Sequence, residues 1–165
     1  MATQIKVPLE QYLRTSYQPD REFLDGELLE RTVGGYPHSR IQGRLAVALG
    51  RLGGGTPLHV CPELRVQVTP NRYRVIDLAV YSESEPAERF PSTPPLIAIE
   101  ILSPTDPTAD TLQKLDEYAT WGVSHIWLID PESKRLFVYE QSALKSVNRF
   151  EIAELSAEIS AASIF

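Results

Sequence analysis

The sequence predicts an α/β fold of the α+β type: one mixed β-sheet packed against helices in a single domain. Three observations lead there. The chain has 165 residues, 42% of them apolar and 23% charged, enough for one buried core and too few for two ordinary domains. Runs of β-branched residues outnumber the amphipathic helical patterns. The elements follow in the rough order helix, three strands, helix, two strands, not in the regular alternation of a parallel βαβ fold. The expected division is an N-terminal helix or extension over 1–20, a core over 22–141, and a C-terminal strand and tail over 142–165.

Between Phe23-Leu24 and Leu28-Leu29, the pair Asp25-Gly26 is a hairpin turn signal. From Pro37 to Leu52, Ile41, Leu45, Ala48, Leu49 and Leu52 recur at helical spacing, and Gly53-Gly54-Gly55 ends the pattern. Arg40, Arg44, Val47 and Arg51 form an adjacent stripe on that helix. Leu64, Val66 and Val68 alternate with polar residues as a strand, a turn follows at Thr69-Pro70-Asn71, and Tyr73–Tyr81 is a second strand. Leu96–Leu102 reads as a buried strand stopped by Ser103-Pro104. Leu112, Leu115 and Ala119 then mark the core face of a helix closed by Gly122. Ile126–Ile129 is a central strand, Asp130-Pro131 turns the chain, and Arg135–Tyr139 pairs back on it.

Composition excludes disordered, collagen-like and coiled-coil chains. No apolar run approaches the roughly 20 residues that span a bilayer. The N-terminal residues lack the basic start and apolar core of a secretory signal, and a lone Cys61 forms neither an internal disulfide nor a thiolate metal site. A cytoplasmic protein without a membrane partner is expected. The net charge of -6 argues weakly against a polyanionic partner. It is unevenly spread, at -2 over 1–37, +4 over 38–77 and -8 over 78–165. All six basic residues of the middle segment are arginines, including Arg40, Arg44 and Arg74, and the arginine fork suits phosphate. A solvated face is the ordinary alternative.

Two carboxylates interrupt apolar strands. Asp77 stands within Val75-Ile76-Asp77-Leu78-Ala79-Val80, and Glu100 within Ile97-Ala98-Ile99-Glu100-Ile101-Leu102. A buried carboxylate needs a cation, a set of donors or a raised pKa. On neighbouring strands the pair would be natural ligands for a hard divalent ion, Mg²⁺ or Mn²⁺. Alternatively, one pairs with an arginine such as Arg65 and the other lies at a solvated edge. On the helix after Glu100, Asp110, Lys114 and Tyr118 form a polar row at i, i+4 and i+8. A short connection could turn Lys114 back toward the strand end; its alternative is a surface Asp110–Lys114 pair worth a few tenths of a kcal/mol.

A strand Asp, a Glu 23 residues later in an apolar strand, and a following lysine resemble the PD-(D/E)XK nuclease superfamily. Further motifs are Phe23-Leu24-Asp25-Gly26-Glu27-Leu28, His38 opening a helix, Arg74–Val80, Ile99-Glu100-Ile101-Leu102-Ser103-Pro104, Lys114 with Tyr118, Gly122-Val123 and Trp127-Leu128-Ile129-Asp130-Pro131. From about residue 8 onward, this series looks like the Uma-two family of restriction-endonuclease-like proteins. Ile76 stands where that family usually has a proline. Leu102 stands where the superfamily has its lysine, so the resemblance points to Lys114 in its place.

The resemblance implies a restriction-endonuclease-like sheet and a Mg²⁺-dependent DNA endonuclease. Asp77, Glu100 and the main-chain carbonyl of Ile101 would hold the metal, and Lys114 would orient a water or stabilise charge. Glu27 and His38 would complete the site, and Arg40, Arg44 and Arg74 would contact DNA. For His38 the alternative is a cap or packing residue, and Trp121, Trp127 and Tyr118 read as core or site walls. A homodimer is one expected assembly, since cutting two strands with one site per chain commonly needs two chains. Two other functions stay open at this point: a nuclease-fold nucleic-acid-binding or regulatory protein that does not cut, and an interaction domain whose carboxylates are paired internally.

Overall fold

Asp25 and Gly26 both take positive φ, 52° and 99°, the backbone that a two-residue hairpin turn requires, and the predicted hairpin closes there. The structure is a computed structural model and describes residues 5–55 and 57–165; the first four residues, part of the signal-peptide reading, lie outside the described residues.

The chain begins with β1 (Ile5–Lys6) and α1 (Leu9–Arg14), followed by the hairpin of β2 (Glu22–Leu24) and β3 (Glu27–Leu29). Next come α2 (Tyr36–Arg51), β4 (Leu58–Thr69) and β5 (Arg72–Ser82). β6 (Ile97–Ile101), α3 (Thr108–Trp121), β7 (His125–Asp130) and β8 (Arg135–Glu140) complete the central part. The C-terminal part holds β9 (Ala143–Val147), β10 (Arg149–Ile152), a short 3-10 turn, β11 (Ala157–Ser160) and α4 (Ala161–Ile164).

Among the described residues, nine strands form one mixed sheet in the order β1-β3-β2-β5-β6-β7-β8-β9, with β4 paired to β5 off that path, and β10 and β11 form a separate pair. Only β6 and β7 run parallel, because α3 carries the chain between them.

The sheet packs on both faces. Ile41, Leu45 and Leu49, the helical stripe read from the sequence, bury α2 against Leu78, Val80, Ile97, Ile99 and Ile101. On the other face Leu115 and Tyr118 of α3 meet Ala79, Ala98, Ile126 and Leu128. Gly122 ends α3 with φ 108°, a left-handed cap that a side chain would strain. Trp127 is a core residue, its ring stacked 4.1 Å from Phe150 of the small sheet. The small sheet thereby closes the α2 side of the core.

The C-terminal segment differs most from expectation. In place of one strand and a tail it folds into three strands and a helix. The turn between β8 and β9 is made by Gln141 and Ser142, both at positive φ, so it carries no glycine or asparagine to announce a hairpin. β4 also starts earlier than its alternation implied, at Leu58 rather than Leu64. Its first half bears Pro62 and Glu63, residues depleted in strands, yet it is held by cross-strand pairing with β5.

A candidate active site at the fork of the sheet

β5 is longer than its neighbours on one edge. On that edge β2 pairs with Arg72 and Tyr73, and β6 pairs with Leu78, Ala79 and Val80. The main chain between these two pairings faces a gap where a strand would otherwise lie. Unpaired backbone groups in a buried gap are costly, and side chains satisfy them here. Glu22 accepts the N–H of Val75 at 3.0 Å, and Lys114 Nζ donates to the Val75 carbonyl at 2.8 Å.

Asp77 and Glu100 stand where the β5–β6 ladder ends. The register pairs Leu78 with Ile99, and one step further sets Asp77 opposite Glu100, on the same face of the sheet. The strands part at that step: the Asp77 carboxylate reaches across and accepts the Ile101 N–H at 2.8 Å. The other edge of β5 is disturbed at the same residue. Glu63 of β4 has φ 51°, the ladder skips the Glu63–Asp77 position, and the Asp77 carbonyl accepts from Gln42 at 2.6 Å.

Both carboxylates are buried and both are partnered. Asp77 also accepts from Arg31 at 2.8 Å and faces His38 Nε2 at 3.2 Å. Glu100 accepts from Lys114 at 3.0 Å and from the Tyr118 hydroxyl at 2.7 Å. Lys114 lies a further 2.9 Å from Glu22, so α3 delivers one ammonium between two acids. Arg31 in turn binds Glu63, which also accepts from Gln42.

These environments separate the protonation states. Burial raises the Glu100 pKa, and the charges of Asp77 and Glu22 outweigh enough of the Lys114 effect to leave it at about 8. Burial acts the same way on Glu22, but Lys114 and Arg74 pull it down to about 2. Asp77 is also lowered despite its burial, chiefly by the His38 hydrogen bond and the charge of Lys114. Burial disfavours the charged form of Lys114, yet Glu100 and Glu22 raise its pKa to about 12. His38 is raised because its contact with Asp77 overcomes the cost of burial. The cluster thus holds fixed cations at Lys114 and Arg31 beside an acid, Glu100, whose pKa burial raises well above the ordinary carboxylate range.

The sequence placed Asp77, Glu100, Ile101, His38 and Lys114 here, and all five line one cavity of about 270 Å³. The remaining expected residues lie elsewhere or are otherwise engaged. Glu27 is not part of this lining; it sits beside the hairpin turn opposite Leu24, and Glu22, at the far end of the same hairpin, supplies the carboxylate. Arg74 also borders this cavity, but it is 2% exposed and bound by Glu22 and Glu117, so its guanidinium is already engaged by acids. Arg40 and Arg44 donate to the carbonyl of Phe165. Two positions along a helix is about 200° around it, so they face away from His38 and Gln42. Of the alternative reading, the arginine pairing of Asp77 is met, by Arg31 while Arg65 binds Asp20, but Glu100 lies in the interior rather than at a solvated edge.

The positive middle segment has a physical account. Its arginines Arg65, Arg72 and Arg74 are taken by Asp20, Asp25, Glu22 and Glu117, acids from the two flanking negative segments. Sequence reading missed Glu22, Arg31, Gln42 and Glu63. Glu63 precedes the strand read from the alternation, which began at Leu64, so the rule applied to Asp77 and Glu100 did not reach it. Asp130 is a turn residue as read, accepting from the N–H groups of Glu132 and Ser133.

Among the described residues, no group of three or more His, Cys, Asp or Glu side chains converges as a metal-binding set, and no helix is long and apolar enough to cross a membrane. The available hard donors are the Asp77 and Glu100 carboxylates beside the main chain of Ile101, oxygen chemistry that suits Mg²⁺ or Mn²⁺. A cation there would meet Arg31 and His38 already on Asp77.

No curated protein matches the chain. Among solved structures, one described as "a putative nuclease belonging to DUF820 from Anabaena variabilis ATCC 29413" superposes with a TM-score of 0.85 at 20% identity, covering 96% of this chain and 97% of the other. At that identity the likeness concerns the fold. A protein family described as "Uma2: Putative restriction endonuclease" matches residues 9–163. Since that match spans nearly the whole chain, including both strand carboxylates and Lys114, the chain belongs to the Uma2 family.

Proposed function

We propose that the chain is a DNA endonuclease that hydrolyses phosphodiester bonds with Mg²⁺ or Mn²⁺. The observation carrying this reading is the meeting of Asp77, Glu100 and Lys114 in one cavity at the fork of the sheet. Family membership supports the same class of activity. Asp77, Glu100 and the Ile101 carbonyl are the residues to hold the cation. When bound, it supplies Lewis-acid polarisation of a phosphodiester oxygen and a water of lowered pKa.

The protein's own groups have distinct tasks. Lys114 keeps its proton, with a pKa near 12, so it serves as a fixed positive charge for the transition state and for orienting water, not as a base. Tyr118 holds the Glu100 carboxyl from one oxygen while Lys114 holds the other. His38 orients Asp77 through Nε2 and, being raised in pKa, donates there. Double-strand cutting with one such site per chain calls for a homodimer.

Plasmid nicking tests the proposal. Mn²⁺-dependent conversion of supercoiled to open-circular DNA, lost in Asp77→Ala, Glu100→Gln and Lys114→Ala, is the expected result. One observation favours a second reading, a nucleic-acid-binding protein that does not cut: Arg31, His38 and the Ile101 N–H already engage the Asp77 carboxylate. DNA binding with no nicking of any DNA form under Mn²⁺ would select it.

A further inference from the structure

Beside the candidate site lies a second cavity of about 570 Å³. The two share His38, Leu102, Ser103, Asp106 and Thr111, so they form one continuous depression. Their linings differ in chemistry. The second cavity is walled by Leu102, Leu112, Leu128, Phe137, Leu144 and Pro131. Its carboxylates are Asp106, which accepts from the Ser103 N–H, Asp130, which is held by the Glu132 and Ser133 donors of its turn, and Glu132; apart from His38, which is turned to Asp77, no basic residue lines it among the described residues.

That combination rejects a phosphate, which the acids would repel. It accepts a flat, neutral group with an apolar face and N–H donors on its edge. Carboxylates are the acceptors that pair with the exocyclic amine of a base.

Resting on the nuclease reading, we infer that this cavity receives an unstacked nucleobase bearing an exocyclic amine, from the nucleotide next to the phosphate held at Asp77 and Glu100. A stacked duplex does not present a base this way. The substrate is therefore single-stranded DNA, or duplex DNA in which a base is extruded, with the wall side chains replacing the lost stacking.

The test uses the full chain and single-stranded oligonucleotides carrying 2-aminopurine, an amine-bearing base whose fluorescence is quenched by stacking, at successive positions. Leu112 and Leu144 are surface-accessible wall residues, so Leu112→Glu and Leu144→Glu are expected to fold. On binding, emission at one position should rise about twofold or more and should stay flat in both variants, while KM for Mn²⁺-dependent cleavage of that strand rises about tenfold at nearly constant kcat.

Cleavage by both variants at wild-type KM, or an emission rise that survives both substitutions, overturns the base subsite and leaves the nuclease reading standing. Absence of binding and of Mn²⁺-dependent cleavage in the wild type overturns the nuclease reading and this inference with it.

Discussion

The Glu22 carboxylate lies 2.9 Å from the Lys114 ammonium, and between them the two groups hold the main chain of Val75, one accepting its N–H and the other donating to its carbonyl. A hairpin and a helix thus supply by side chain what a neighbouring strand would supply by backbone. The same contact fixes Lys114 beside Glu100, so the repair of the sheet and the assembly of the site are one arrangement.

Glu22→Gln should therefore destabilise the fold. The amide keeps an acceptor for Val75 but leaves Lys114 and Arg74 short of a buried negative charge. A loss of about 3 kcal/mol is expected, the lower end for a broken buried pair, because Glu100 and Glu117 remain as partners. Urea unfolding of the metal-free protein measures it; a change well under 1 kcal/mol, on the same principle, would remove the argument.

Stability should also show an acid limb belonging to Glu22. Its folded pKa of about 2 lies below the ordinary 4.5, so its contribution is complete above about pH 4.5 and is lost as pH falls toward 2. The amount is on the order of 3 kcal/mol. In Glu22→Gln this part of the acid limb should be missing when urea midpoints are compared across that window.

Gly34 packs so closely on His38 that a Cβ placed there would lie 2.6 Å from Nδ1 of the imidazole. The ring must move, and with it the contact to Asp77. Because a side chain rather than backbone yields, Gly34→Ala should cost less than about 1 kcal/mol of stability. Misplacing His38 should nonetheless slow Mn²⁺-dependent nicking by up to about 10²-fold. Nicking at the wild-type rate would show that the His38 position does not matter.

Arg31 competes with any cation for Asp77. Arg31→Ala should raise Mn²⁺ affinity about tenfold by calorimetry, as removal of a neighbouring positive charge predicts. The metal-free variant should be less stable, since Asp77 and Glu63 lose a buried partner. Unchanged or weaker Mn²⁺ binding would mean that Arg31 does not stand in the way of a metal.

Much of the fold was readable locally. Ile41, Leu45 and Leu49 declare α2 by spacing, Asp25-Gly26 declares its hairpin, and Gly122 marks the end of α3. The hairpin at Gln141-Ser142 was not readable, because its turn residues are not those that favour positive φ.

The sequence by itself determined that Asp77 and Glu100 are acids embedded in apolar strands and that Lys114 follows on a helix, since burial patterns and helical spacing are written in neighbouring residues. Only the tertiary structure decided their partners. Glu22, Arg31 and Glu63 enter from the hairpin, the loop after it and β4, at separations of 46 residues for Arg31 to Asp77 and 32 for Arg31 to Glu63. Likewise only the fold showed that Arg74 pairs with Glu22 and Glu117. Charge pairing acts through space and carries no periodicity along the chain, so composition can count the acids and arginines without saying which of them meet.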